Sequence, residues 1–432
     1  MARPAHEVTT RHLGAAYPFV AAGSLGTAGV LVGRDLCGGA FVHDPFELYQ
    51  RQVVTNPNMI IFGQIGRGKS ALVKTYLWRQ AVFGRRAWVV DPKGEYGQLA
   101  AHWGVTPVAL RPGGTLRLNP LDAPSRAGMA PGGTAGDSSG SGGEDELVRR
   151  RGELLCALIE ACLVRRLLPS ERVAVELAVQ SVSYRRVTPT LPDVVAAMLA
   201  PAASAAAAVR TDPATLAADG RQGALELRRL VAGDLRGMFD GPTSPGLDPG
   251  GPLVVLDLSA LYQSAALGVV MTCATAWLHA QLAGRGGGSD SMSSGVLVVV
   301  DEAWALLGNL GVARWLQSSW KLARAWGVAN IAVLHRVSDL AAGAESGSAH
   351  RELAHGLLAD SETRVVYGQA PGEVTQARRM LGLSSTEAEL VPHLGRGVAL
   401  WRVGDRSFLV RHVVGPAEAA LVWTDKAMAA AQ

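Results

Sequence analysis

The stretch NMIIFGQIGRGKS, residues 58–70, limits the folds open to this chain more than any other. Its apolar run reads as a strand. It breaks into glycines and then re-enters an apolar-periodic segment, ALVKTYLWRQAVF, which reads as a helix. RAWVVD follows as a second strand. Strand, glycine loop, helix and strand form a βαβ unit, which argues for a parallel, doubly wound sheet.

The loop satisfies G-x-x-x-x-G-K-[ST] through Gly63, Gly68, Lys69 and Ser70. Such a loop curls main-chain N–H groups around phosphates, here those of Gly63, Gln64, Ile65, Gly66, Arg67, Gly68, Lys69, Ser70 and Ala71. The helix that follows aims its positive dipole end at the same place. Lys69 is placed to reach the β- and γ-phosphates, and the Ser70 hydroxyl to hold Mg²⁺. ATP and Mg²⁺ are the expected ligands.

A nucleotide site of this kind needs a second acidic group for the metal. Two apolar runs end in aspartate, LVVLD at Asp257 and VLVVVDE at Asp301. Only the latter continues into a second acid. Asp301 is therefore expected to hold the metal, and Glu302 to orient or deprotonate water. Asp257 is read as capping a core strand. The turn DPKGEY brings Asp91, Lys93 and Glu95 to the carboxyl end of the second strand, beside the loop, and Glu95 is the expected participant. His335, ending the strand VANIAVLH, stands where a polar group could sense the phosphate. Arg324, at the end of the helix in WKLARAWG, is a candidate arginine finger, and Arg364, opening the strand TRVVYGQ, is a second.

The chain of 432 residues is long enough for two or three domains or one large domain with insertions. Residues 1–57 read as short β pieces, GVLVGRD and GAFVHDP, preceding the first part of the core at 58–121. Residues 122–147 have almost no large apolar side chains and read as a flexible linker. Residues 148–240 show helical periodicity and read as an all-α insertion, with the serine of PSER expected to N-cap one helix. The second part of the core, 241–425, carries further strands and ends in a β-hairpin around GRGVALWRVGDRSFLVRHVV. No internal repeat is visible.

Five lysines against thirty-six arginines, with a formal charge of only +4, point to codon bias more than to a nucleic-acid surface. Four cysteines without paired spacing suggest a reduced cytosolic setting. The longest apolar stretch, AALGVVMTCATAWLHAQLA, contains Thr, His and Gln and reads as a buried helix, not a membrane span. No signal-peptide pattern opens the sequence.

In order along the chain, GQIGRGKS, DPKGEY, LRLNPLD, FDGPT with LVVLDLSAL, VVVDEAWALL and ADSETRVVYGQA resemble the VirB-type energising ATPases of conjugative transfer and type IV secretion, in the FtsK–HerA branch of the P-loop NTPases. The resemblance runs from about residue 40 to 425. It implies a RecA-like core with an all-α insertion and a cytoplasmic ATPase, peripheral at the inner face of the cell membrane through its partners. It also implies a homo-hexamer or lower oligomer, partnered by membrane channel proteins and by DNA, directly or through a coupling protein. Lys69 and Ser70, Asp301 and Glu302, and Arg324 match the family's functional positions. Two departures stand out: only a short segment precedes the P-loop, which assigns membrane docking to a separate chain, and His335 stands where relatives often have glutamine. A DNA-pumping translocase of the same superfamily is the nearest alternative, and a nucleotide-switched scaffold with negligible turnover is an alternative of another class.

Overall fold

In the apolar runs alternate residues face opposite sides of a sheet, and here both sides are covered. Met59 and Ile61 join one core, with the P-loop helix Lys69–Gln80 packing Leu72, Val73, Tyr76 and Leu77 against them. Ile60 and Phe62 join the other, which holds the helix Leu267–Ala283 and the helices of the insertion. Uninterrupted apolar strands are what two-sided burial requires. A computed structural model describes residues 25–36, 38–122, 141–186, 188–245, 247, 251–283, 295–307, 310–323, 326–341, 352 and 356–422.

The eleven strands are β1 Val30–Asp35, β2 Ala40–His43, β3 Met59–Phe62, β4 Arg86–Asp91, β5 Val108–Ala109, β6 Leu253–Asp257, β7 Val296–Val300, β8 Val328–Leu334, β9 Thr363–Tyr367, β10 Val398–Val403 and β11 Arg406–His412. They form one sheet in the order β2-β1-β11-β10-β9-β3-β8-β7-β4-β6-β5. From β9 to β5 the neighbours are parallel, and from β9 outward to β2 they are antiparallel. The N-terminal pieces therefore do not make a sheet of their own. Their hairpin extends the core sheet, because β1 pairs with β11, Gly33 opposite His412. The terminal hairpin β10–β11 is as expected, with Val403 paired to Arg406 around the turn.

Between β5 and β6 the chain builds the helices Ser141–Leu163, Pro169–Arg185, Leu191–Leu199, Ala203–Ala208 and Pro213–Ala232. Two local expectations change here. The first helix starts at Ser141, inside the stretch read as linker, with Glu144 in its first turn where the helix dipole favours an acid. Glu146 pairs with Arg149 and Arg150, one turn on. Residues 123–140 of the expected linker lie outside the described residues. The serine of PSER is not an N-cap. Leu168 holds that position, Pro169 opens the helix, and the Glu171 carboxylate accepts the Leu168 N–H at 2.8 Å. The stretch read as a buried helix is one, Leu267–Ala283, with Trp277 only 1% exposed. No helix among the described residues is long and apolar enough to cross a membrane.

Candidate active site

The parallel strands β3, β4, β7 and β8 end together along one edge of the sheet, and each delivers a piece of the site there. β3 delivers the P-loop. Gly63 runs so close to β9 that a Cβ would lie 2.6 Å from the Cβ of Tyr367. Gly68 caps the helix with φ of 111°, a left-handed value that favours glycine. The Gly63 N–H donates to Leu334 O at 3.3 Å and the Gln64 N–H to Gly368 O at 3.3 Å, tying the loop to β8 and to the end of β9. Arg67 accepts from the Gly397 N–H at 2.9 Å through its carbonyl and donates from its guanidinium to Leu394 O and to Gln64 Oε1. Ile65 projects 79% exposed from the loop, whereas Ser70 and Ala71 are half-buried at the start of the helix.

Lys69 is 6% exposed. Its ammonium donates to the carbonyls of Gly63 and Gln64, the latter at 3.1 Å, and lies 3.2 Å from His335 Nδ1. Burial pulls its pKa down to about 8, although Asp301 and Glu302 oppose the fall.

β4 delivers the DPKGEY turn, which folds around the Asp91 carboxylate. That group accepts the N–H groups of Lys93 at 3.2 Å, Glu95 at 3.1 Å and Tyr96 at 2.9 Å, so it shapes the turn. Burial pushes its pKa up to about 6 despite those bonds. Glu95 faces the fully buried Lys74 of the P-loop helix at 3.9 Å. Tyr96 donates its hydroxyl to Asp301 Oδ2 at 3.2 Å.

β7 delivers Asp301 and Glu302. Asp301 is pushed up to about 6, first by burial and then by the surrounding charges of Glu302, Glu95 and Asp91. Glu302 goes the opposite way. Burial would raise it, but hydrogen bonds from His335, Lys93 and Trp304 hold it down at about 2. Its Oε1 carries the Lys93 ammonium, and its Oε2 carries His335 Nε2 at 2.8 Å together with the Trp304 indole N–H. Its backbone has φ of 53°, an uncommon left-handed conformation for glutamate of the kind that recurs at functional sites. The two neighbouring acids are thus tuned apart, one kept a weak acid's partner for a cation and the other a firmly ionised acceptor.

The structure brings Lys69, Asp301, Glu302, Glu95 and His335 into one site. Lys93, expected with Asp91 and Glu95 to flank the phosphates, stands on Glu302, and Trp304 and Tyr96 join the site with no motif of their own to mark them. The available signal for Lys93 was that it is one of five lysines in an arginine-rich chain. Three of the five, Lys69, Lys74 and Lys93, converge here. Asp257 does cap its strand end, accepting the Ser259 N–H at 2.9 Å. Arg324 lies outside the described residues. Arg364 sits near the opposite, amino end of its strand and donates to the carbonyls of Ser361, Leu381 and Leu358. Its guanidinium is spent on its own chain, which corrects the expectation of a second finger there.

Ser70 and Asp301 are the groups that would hold Mg²⁺. The fit is chemical: both are oxygen donors, and a buried carboxylate crowded by three others is where a divalent cation relieves most repulsion. In front of the loop lies a cleft of about 780 Å³, lined by Gln64, Ile65, Gly66, Arg67, Trp304, His335, Arg336, Asp339 and Arg396. Its size suits a nucleotide.

A P-loop on the first strand of a parallel sheet, an acid pair on the strand two places away, and antiparallel strands at one flank define a RecA-like P-loop NTPase fold. No protein-family model matches the chain, and no curated protein does. Among solved structures it is similar to VirB4 of Thermoanaerobacter pseudethanolicus, at 20% identity and a TM-score of 0.70, covering 92% of this chain and 100% of that one. It is also similar to the bacterial conjugative coupling protein TrwB in its unbound form, at 14% identity and a TM-score of 0.56, covering 90% and 91% of the two chains. A third likeness is to TrwB in complex with ADP and Mg²⁺, at 14% identity and a TM-score of 0.56, covering 83% and 85%. At these identities the likeness is one of fold.

Proposed function

We propose that this chain is a Mg²⁺-dependent ATPase motor that energises conjugative DNA transfer or type IV secretion, by assembling a channel or moving a substrate through it. The observation that carries the reading is the meeting of Lys69, Asp301 and Glu302 at one sheet edge, in a fold similar to VirB4 along nearly the whole chain. Lys69 holds the β- and γ-phosphates, Ser70 and Asp301 hold the metal, Glu302 orients and deprotonates the attacking water, and His335 reports on the phosphate. When bound, Mg²⁺ neutralises charge building on the phosphate oxygens. A second copy of the chain completes the site, with Arg324 reaching the neighbour's nucleotide in a hexamer or smaller ring. Attachment to the membrane runs through channel partners at its cytoplasmic face.

Replacing Glu302 by glutamine tests the central role. Nucleotide binding should persist while steady-state turnover falls by about 100-fold or more. Turnover at the wild-type rate would remove Glu302 from the mechanism. The likeness to TrwB supports a second reading, a coupling protein that pumps DNA. ATP turnover stimulated by DNA, with a steep salt dependence, favours that reading, and indifference to DNA favours the secretion motor. A scaffold switched by nucleotide predicts binding without measurable turnover at any protein concentration.

A further inference from the structure

We infer that Lys93 is a specificity-determining residue that distinguishes nucleoside triphosphate from diphosphate: its ammonium leaves Glu302 for the terminal phosphate and thereby frees Glu302 to receive water. The inference rests on the ATPase reading above and adds a residue to it.

Glu302 is closed to water in the arrangement described. A carboxylate offers about four acceptor sites on two oxygens. Lys93 takes one on Oε1, and His335 and Trp304 take two on Oε2. The side chain is 3% exposed. One acceptor site remains, on Oε1 beside the Lys93 ammonium, and in so buried a carboxylate the withdrawal of a donor is what makes room for a nucleophilic water.

Lys93 is the donor free to do so. Trp304 is in the turn of helix that directly follows Glu302, and its ring moves only with that helix. His335 is fixed at the end of β8, its N–H on Asp339 Oδ2 at 3.1 Å and its carbonyl accepting from Gln369 Nε2 at 3.4 Å. Lys93 stands instead on the β4 turn with a flexible four-carbon stem. Besides Glu302, the Tyr262 ring steadies its ammonium at 5.5 Å.

The place it would move to is adjacent. Lys69 and Glu302 contact the two nitrogens of the same imidazole, Lys69 at 3.2 Å from Nδ1 and Glu302 at 2.8 Å from Nε2. A terminal phosphate gripped by Lys69 therefore arrives within the sweep of Lys93. It offers three acceptor oxygens and more charge than a carboxylate already satisfied by two other donors, so the ammonium exchanges one anion for the other. A diphosphate lacks that group and leaves the Lys93–Glu302 pair closed.

The test is a pair of affinities measured with Mg²⁺ present, for ADP and for a non-hydrolysable ATP analogue, on the full chain and on its Lys93→Met and Lys93→Arg variants. Methionine keeps an unbranched stem of similar length, and a melting curve of each variant verifies folding. The expected result is a loss of about tenfold or more in affinity for the analogue with Lys93→Met. ADP affinity should stay within about twofold, and Lys93→Arg should recover part of the loss. Equal losses for both nucleotides, or no loss for either, overturn the inference while leaving the ATPase reading intact. Failure of the unsubstituted chain to bind either nucleotide overturns both.

Discussion

Replacing Asp301 by asparagine should stabilise the nucleotide-free protein while abolishing its turnover. Asp301 is 4% exposed and shares its surroundings with Glu302, Glu95 and Asp91. Its carboxyl moves from 3.8 up to about 6 on folding. Above pH 6 the group is ionised in both states, and a rise of that size corresponds to about 3 kcal/mol by which the charged form opposes folding. Between those two values the folded state binds the proton more tightly, so stability falls as pH rises through the window. Below the lower value both states are protonated and the penalty is gone. An amide keeps the two hydrogen bonds of the site. Its oxygen still accepts the Glu302 N–H, now at 2.9 Å, and its nitrogen can donate to the Tyr96 hydroxyl. The substitution thus removes charge and little else. For a chain of 432 residues, about 3 kcal/mol corresponds to about 3 °C in melting temperature. Thermal unfolding in chelator at pH 8 should place the variant about 2–4 °C above the parent, with the two curves converging near pH 4. Added Mg²⁺ and nucleotide should then raise the parent alone. A variant that melts below the parent at pH 8 would refute the claim that Asp301 is held at an electrostatic cost.

Three further outcomes are expected. Lys69→Ala should abolish nucleotide binding in a fluorescent-nucleotide titration, with turnover down by about 100-fold or more, since among the described residues no other ammonium contacts the Gly63 and Gln64 carbonyls of the loop. Arg79→Ala should destabilise the chain by about 3 kcal/mol, read as a lower urea midpoint. That guanidinium grips Glu418 with two bonds of 2.6 Å and also donates to Val413 O, tying the P-loop helix to the C-terminal segment. Adding Glu418→Gln should recover part of the loss, because it removes the carboxylate left buried without its partner.

Much of the core was legible because two local rules were enough. Four-to-seven-residue runs such as MIIF, VLVVV and VANIAVL are short for buried helices and read as core strands, and all of their residues are buried. The glycine-to-lysine loop joins strand to helix within a few residues, so the place of Lys69 and Ser70 at the start of the helix followed from spacing. Local rules misjudged positions where two of them compete. Ser170 looked like a cap, but Pro169 fits the first helical position and Glu171 reaches back to the Leu168 N–H, which moves the start of the helix. The stretch from Ser141 looked too polar for a helix, yet its charges pair one turn apart.

By itself, the sequence determined most of the strands, the two-residue β5 excepted, where the phosphate loop lies, and which acids end a core strand, because backbone geometry and two-sided burial act over a few residues. Only the tertiary structure decided what those pieces meet. It put β3 between β8 and β9, drew the N-terminal hairpin onto β11, and spent Arg364 on three carbonyls of its own chain. It also set Lys93 and Trp304 on Glu302, and Tyr96 on Asp301. These contacts depend on strand order, and strand order follows from the total burial of two cores, to which every element contributes at once.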